Sequence, residues 1–138
     1  MGKINFDDIN LEQNYNKFTA YYQSKLANIY FTRELARRVK DYGVHVYSLH
    51  PGGVRTNLGR HLNSFGSFIF FLCGLLVFKS AKQGAQTTIY CAVDEEAGTH
   101  NGLYYSDCRV TKPARRATDD KVAKQLWELS LKMVKFNE

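Results

Sequence analysis

The stretch of sequence that decides the fold is residues 19–56, which read TAYYQSKLANIYFTRELARRVKDYGVHVYSLHPGGVRT. Its first part predicts a helix over residues 19–41, because Ala27, Phe31 and Leu35 recur four positions apart and line one face. Further apolar residues between them widen that face. We therefore expect a helix that is largely buried.

The second part of this stretch predicts a strand followed by a glycine-rich loop. Residues 44–49 are mostly β-branched or aromatic, and they are delimited by Gly43 and by the run Pro51-Gly52-Gly53. A helix, a short turn and a strand that ends at such a loop are typical of a parallel, doubly wound α/β sheet. Ligands bind such sheets at the carboxyl ends of the strands, so this loop is a candidate binding site.

The remainder of the chain predicts two more helices and a short strand. Ser80 can cap a helix over residues 80–93, and residues 103–106 follow an Asn-Gly turn as a strand. Thr118 or Asp119 caps a last, amphipathic helix. Four apolar side chains lie on one face of that helix, namely Val122, Leu126, Leu129 and Met133.

The composition indicates an ordinary globular protein. The 138 residues are 44% hydrophobic and 23% charged, which argues against intrinsic disorder and fits one domain. The formal net charge is +6, but Lys and Arg are scattered along the chain, so no nucleic-acid partner is expected. Cys73, Cys91 and Cys108 are odd in number and widely spaced, and no signal segment is recognised, which favours an intracellular, reducing compartment.

Residues 63–78 form an uncharged, mostly apolar segment. Its length is below the roughly 20 residues that a membrane-spanning helix needs. A buried, re-entrant or interfacial segment is therefore favoured over a span, and association with a membrane surface is one of the expected outcomes.

The motif with the clearest chemistry is the pair Tyr21 and Lys25 near the start of the first helix. Residues four positions apart lie on the same face of a helix, so the phenol of Tyr21 and the ammonium of Lys25 can approach the same ligand. A phenol ordinarily loses its proton only near pH 10, and a cation beside it stabilises the phenolate. The pair is thus a candidate proton donor and acceptor, although this spacing also occurs by chance in many helices.

A second constellation is the run HPGGVRT over residues 50–56. Gly52 and Gly53 let a backbone pass close to a ligand. The backbone around Val54 and the hydroxyl of Thr56 offer hydrogen bonds to an amide or a phosphate. A plain turn after the strand is the alternative interpretation.

Together, residues 18–28 and 50–56 resemble the short-chain dehydrogenase/reductase superfamily. Residues 21–38 and the later run YYSDC at 104–108 are similar to its retinol-dehydrogenase-like branch. The resemblance implies an α/β fold that is the C-terminal part of a doubly wound, Rossmann-type parallel sheet. It also implies that residues 1–138 form a single partial domain.

The resemblance implies an NAD(P)-dependent oxidoreductase, with NADP slightly favoured over NAD and no metal. Tyr21 would donate a proton during reduction and accept one during oxidation. Lys25 would assist Tyr21 and bind the nicotinamide ribose. By the same comparison the cofactor site would comprise Tyr21, Lys25, Pro51, Gly52, Val54 and Thr56.

The same resemblance places residues 63–78 where the family builds its substrate loop. Their apolar character suits a hydrophobic alcohol or carbonyl compound such as a retinoid, a steroid or a lipid aldehyde. The expected location is the cytoplasm or the cytosolic face of the endoplasmic reticulum membrane.

The sequence departs from the family in one large respect. It contains no glycine-rich strand-to-helix turn that would hold the dinucleotide, and the catalytic Ser and Asn of the family have no counterpart. Ser24 is not that serine, because it lies beside Lys25 on the helix. We expect a fragment or short form of a longer enzyme, inactive alone. The alternative is a noncatalytic module that binds another copy or a full-length homologue.

Overall fold

The computed structural model of the chain describes residues 2–55 and 78–136. Its helices are α1 (Lys17–Arg38), α2 (Ala81–Gly84), α3 (Gln86–Val93) and α4 (Asp120–Val134). Its strands are β1 (Ser48–His50), β2 (Tyr104–Ser106) and β3 (Arg109–Val110), which form one sheet in the order β1-β2-β3. Strands β2 and β3 are antiparallel. Short 3-10 helices lie at Lys40–Tyr42, Ala97–Thr99 and Arg115–Thr118.

The chain divides into two compact units. We call the first the helical unit, and it comprises Met1–Ser48, His100–Tyr104 and Thr111–Glu138. The second, the loop unit, comprises Leu49–Thr99 and Tyr105–Val110. The single partial domain stays a prediction, and each unit is described by itself.

Helix α1 starts two residues before the predicted position because Asn16 caps it. The Asn16 side chain accepts hydrogen bonds from the backbone N–H groups of Phe18 and Thr19, at 2.9 and 3.2 Å. The α-helix ends at Arg38 rather than at residue 41, since a 3-10 turn over Lys40–Tyr42 replaces its last turn. Gly43 then ends the helical region in the left-handed conformation, with a φ of 67°, as predicted.

The core of the helical unit lies between α1 and α4. Asp119, one of the two predicted caps, starts α4 by accepting from the N–H groups of Lys121 and Val122. The buried residues are Ile4, Tyr30, Ala123 and Leu126, and partly buried apolar side chains surround them. The amphipathic pattern of the last helix is thus confirmed by the packing of Leu126 into this core.

The predicted strand at residues 44–49 is wrong in its bounds, since the structure has β1 only at Ser48–His50. The side chain of Asn101 explains the shift. Its Oδ1 accepts the Val46 N–H at 2.8 Å, and the carbonyl of Val46 accepts from Gly102 at the same distance. A side chain therefore satisfies part of the backbone where a strand ladder was expected.

The predicted helix at residues 80–93 is present with one interruption. Ser80 caps it by a reciprocal pair of hydrogen bonds with Gln83, at 3.2 and 2.8 Å. The two pieces, α2 and α3, are separated only by Ala85, whose backbone keeps helical angles. Gly84 leaves room for Val54, because a Cβ there would lie 2.5 Å from Val54 Cγ2.

Candidate active site

Tyr21 and Lys25 lie together on the exposed side of α1. The Lys25 Nζ atom is 5.6 Å from the centroid of the Tyr21 ring, so the ammonium stands over the aromatic face. The Tyr21 side chain is exposed, at 58% of its maximal area, and Tyr22 packs edge-on against it with 5.8 Å between centroids. The spacing read from the sequence therefore does bring the phenol and the ammonium together.

The opposite side of α1 holds this pair in place through Gln23. Its side chain is buried, accepting from the Asn5 N–H at 2.9 Å and donating to the Ile9 carbonyl at 2.8 Å. These bonds fasten the N-terminal segment to the helix one residue away from Tyr22. Sequence reasoning did not single out Gln23, because an isolated glutamine in a helix carries no signal that it is buried.

Ser24 makes a bond that occupies its hydroxyl within the helix. The Ser24 Oγ donates to the carbonyl of Tyr21 at 2.8 Å. This local bond agrees with the expectation that Ser24 is not the catalytic serine of the family.

Other tyrosines of the chain are committed elsewhere. Burial raises the pKa of Tyr30, whose hydroxyl donates to the carbonyl of Arg116. Burial and the neighbouring Glu96 raise the pKa of Tyr90 to about 12, and its hydroxyl donates to Glu96 Oε2 at 3.1 Å. The Tyr30 and Tyr90 hydroxyls therefore keep their protons at neutral pH and are hydrogen-bonded to protein groups.

In the loop unit, residues 51–55 pair with Lys79. We call these residues the cofactor loop, after the role that the sequence predicts for them. The Lys79 N–H donates to the Gly53 carbonyl at 2.8 Å, and the Lys79 carbonyl accepts from Arg55 at 2.9 Å. Val54 and Lys79 thereby form a parallel bridge. The N–H and C=O of Val54 itself have no hydrogen-bond partner among the described residues.

The two glycines of the loop are required by the packing of the chain itself. A Cβ at Gly52 would lie 3.0 Å from Lys79 Nζ, and one at Gly53 would lie 2.9 Å from the Phe78 ring. Gly52 also has a φ of 84°, where a side chain is strained. Phe78 and Lys79 thus pack beside the two glycines, and the role of the loop in ligand binding stays a prediction.

The remaining predicted features lie partly outside the described residues. Thr56 is outside them, and so is all of the apolar segment 63–78 except Phe78. Tyr21 and Lys25 belong to the helical unit, while Pro51, Gly52 and Val54 belong to the loop unit.

Comparisons with known proteins show which proteins the chain is similar to. The family model described as short chain dehydrogenase matches residues 4–66. Human retinol dehydrogenase 14 is 49% identical over 135 residues, covering 96% of this chain. Human retinol dehydrogenase 12 is 42% identical over 134 residues, covering 97% of it. The chain is therefore similar to short-chain dehydrogenases over residues 4–66 and to retinol dehydrogenases over nearly its whole length.

The fold of the chain is also confirmed by a solved structure. The crystal structure of an uncharacterised protein from Mycobacterium paratuberculosis matches 99% of the chain with a TM-score of 0.70 and 29% identity. The match covers 46% of that protein, and the chain spans about 40% of the length of the retinol dehydrogenases named above. A partial Rossmann-type α/β fold, similar to retinol dehydrogenases, was the prediction from the sequence.

Residues 2–55 and 78–136 contain neither a candidate metal site nor a candidate membrane-spanning helix. No group of three or more His, Cys, Asp or Glu side chains there is arranged to hold a metal ion. Within the same residues, the helices are either too short or too polar to cross a bilayer.

Proposed function

We propose that this chain supplies the proton-transfer residues of an NAD(P)-dependent oxidoreductase. The enzyme would interconvert an alcohol and a carbonyl group on a hydrophobic substrate. The observation that carries the proposal is the Lys25 ammonium, 5.6 Å from the centroid of the exposed Tyr21 ring, within the segment that matches the short-chain dehydrogenase family model.

Tyr21 has the chemistry and the exposure that the proton step needs. In reduction its hydroxyl donates a proton to the substrate oxygen, and in oxidation the phenolate takes a proton from the alcohol. Lys25 stabilises the negative charge that appears on the phenolate oxygen. The nicotinamide, when bound, supplies or accepts the hydride.

The cofactor loop suits the nicotinamide end of such a cofactor. A carboxamide has one acceptor and two N–H donors, which complement the N–H and C=O that Val54 leaves free among the described residues. Pro51, Gly52 and Thr56 are proposed to line the same end of the site, and Lys25 to bind the ribose. NADP rather than NAD is the preferred cofactor in this proposal, on the strength of the family resemblance alone.

The substrate class follows from the relatives and from the apolar segment 63–78. The relatives named above are retinol dehydrogenases, so a retinoid is the first substrate to test, followed by a steroid and a lipid aldehyde. A location in the cytoplasm or at the cytosolic face of the endoplasmic reticulum, with contact between residues 63–78 and the membrane surface, is proposed with it.

The test is a Tyr21→Phe variant in the full-length protein, with retinaldehyde as the carbonyl substrate and NADPH as the reductant. We expect turnover to fall by roughly 10²-fold or more while NADPH affinity stays nearly unchanged, because only the proton donor is removed. Tyr22→Phe is the matched control, since Tyr22 is similarly exposed, at 53%, and carries the same group. Equal turnover of wild type and Tyr21→Phe would remove Tyr21 from the mechanism.

A second candidate function is a noncatalytic module that binds another copy or a full-length homologue. The observation in its favour is the exposure of Phe18 and Tyr22 on α1, at 60% and 53%. Mixing the chain with human retinol dehydrogenase 14 tests it. Association together with reduced turnover would support a binding role. If the mixture shows neither association nor reduced turnover, the binding role is ruled out.

A further inference from the structure

Lys79 has an unusual position for a charged residue of the loop unit. Its backbone bonds to Gly53 and Arg55, on both sides of Val54, so residue 79 is fixed against the cofactor loop. Its side chain then runs along the turn at Gly52. A Cβ built on Gly52 would meet Nζ, Cε and Cδ of Lys79 at 3.0, 3.1 and 3.2 Å.

The far end of the Lys79 side chain is held by Asp107. The ammonium forms an ion pair and hydrogen bond with the Asp107 carboxylate, and the Lys79 side chain is only one-third exposed. A single side chain thus connects the cofactor loop with the turn between β2 and β3.

That turn is itself firmly placed. Asp107 and Cys108 both have positive φ, at 53° and 57°, a conformation that costs energy for residues other than glycine. The Cys108 N–H donates to Thr87 Oγ1 at 3.3 Å, and Thr87 is buried on α3. Asp107 therefore presents its carboxylate from a fixed backbone rather than from a free loop.

We propose that Lys79 and Asp107 are a positioning pair that sets the conformation of the cofactor loop around Gly52 and Val54. The packed Lys79 stem fills the space over the Gly52 turn, and Asp107 keeps that stem from swinging into solvent. The backbone N–H and C=O groups of Val54 are then held in place before any ligand binds, rather than ordered at the moment of binding. The consequence for cofactor affinity rests on the proposed function, whereas the effect on the loop does not.

The charges around Asp107 agree with a formed pair. The hydrogen bond from Lys79 lowers the pKa of Asp107, and the positive charge of Lys79 lowers it further. Ser106 and Arg109 also lower this pKa. A lowered folded-state pKa means that the pair acts fully above the ordinary Asp value of about 3.9 and is lost on acidification through the folded value. The pair is therefore formed at neutral pH.

The first test measures amide hydrogen exchange of Arg55 and residue 79 in the 138-residue chain at neutral pH. Asp107→Asn removes the charge and keeps a residue type that tolerates positive φ. Lys79→Met removes the ammonium and keeps the stem. We expect each variant to speed exchange at these two amides by about threefold, the size of a partly exposed ion pair.

The controls separate positioning from general destabilisation. Lys79→Arg keeps the pair and should retain wild-type exchange, while Lys82→Gln removes an exposed charge of the loop unit outside the pair and should have no effect. The double variant Lys79→Met/Asp107→Asn should exchange no faster than either single variant, because both remove one interaction. Independent, multiplying effects, or unchanged exchange in both single variants, would overturn the proposal.

The second test measures steady-state kinetics in the full-length protein. Asp107→Asn should raise the KM for NADPH by about threefold and leave kcat at saturating NADPH unchanged, because loop ordering then costs binding only. A change in kcat with an unchanged KM would contradict a positioning role. Failure of even the wild type to use NADPH would count against the proposed function, and the exchange measurement would still decide the positioning pair.

Discussion

The two halves of α1 differ in how they are held. Residues 17–25 keep Phe18, Tyr21 and Tyr22 exposed and are attached mainly through Gln23. Residues 26–38 pack against α4 and bury Glu34, a charged residue, at 3% exposure. One continuous helix therefore combines an open segment with a tightly fixed one.

The fixed half is organised around Glu34. Arg37 makes a bidentate pair with it at 2.6 and 3.0 Å, and Arg38 bonds it at 2.8 Å. Arg38 also stands over Trp127 of α4 at 4.8 Å and reaches Glu128 at 3.3 Å. The half of α1 that carries the Tyr21 phenol is thus exposed to solvent, while the other half attaches the helix to α4.

The largest effect is expected in the open half. Lys25→Met should lower turnover of the full-length protein by about 10²-fold at saturating cofactor, because the cation that stabilises the phenolate is lost. The free energy of unfolding should stay nearly unchanged, since Lys25 is exposed. Steady-state kinetics measure the turnover, and urea denaturation measures the free energy of unfolding. A stability loss that accounts for the activity loss would contradict it.

The next effect is expected in the fixed half. Glu34→Gln should lower the free energy of unfolding by about 2 kcal/mol, because Arg37 and Arg38 lose a buried carboxylate partner. The loss is smaller than for a fully buried pair, since the Arg37 side chain is exposed to solvent. Glu128→Gln is the matched control, since Glu128 pairs with Arg38 at the surface and should cost less than about 0.5 kcal/mol. Equal losses in urea denaturation would show that burial of Glu34 does not matter.

The same carboxylate predicts a pH dependence. Burial raises the pKa of Glu34, but hydrogen bonds from Arg37 and Arg38 outweigh it, so the pKa lies below its ordinary range. Its contribution is complete above the unfolded value of about 4.3 and is lost as the pH falls through the folded value. Thermal denaturation between pH 7 and 3 should therefore show a steeper acid loss for wild type than for Glu34→Gln. Parallel curves would argue against a lowered pKa.

The smallest effect is expected at the rim of the α1–α4 contact. Arg33 pairs with Asp120 at 2.6 Å, but Asp120 is 74% exposed, so Arg33→Gln should cost less than about 0.5 kcal/mol. Added salt should reduce even that difference. A loss as large as that of Glu34→Gln in the same urea experiment would mean that exposure does not set the ranking.

Much of the fold was predictable because it follows from local rules. The period of Ala27, Phe31 and Leu35 indicated α1, Gly43 its stop, and Asp119 the cap of α4. The expectation that α1 is largely buried was wrong, since only five of its 22 residues are buried and Phe31 is 50% exposed. The strand before the loop was misplaced because Asn101, distant in sequence, bonds Val46. Long-range side-chain bonds of this kind leave no periodic signal.

The candidate site was predictable in composition but less so in geometry. The spacing of Tyr21 and Lys25 correctly indicated that they meet, although the ammonium stands over the ring face rather than in a closed cleft. The glycines of the loop carried a signal, but the packing of Phe78 and Lys79 beside them could not be read from it. Gln23 and the Lys79–Asp107 pair gave no sequence signal, because each depends on a tertiary contact.

The central claim is that Tyr21 and Lys25 act as one proton-transfer unit. A double-mutant cycle of Tyr21→Phe and Lys25→Met on turnover at saturating NADPH tests it most directly. The account predicts that the double variant is no slower than Tyr21→Phe, because a cation without a phenolate has nothing to stabilise. Losses that multiply, or a Tyr21→Phe variant with wild-type turnover, would contradict it.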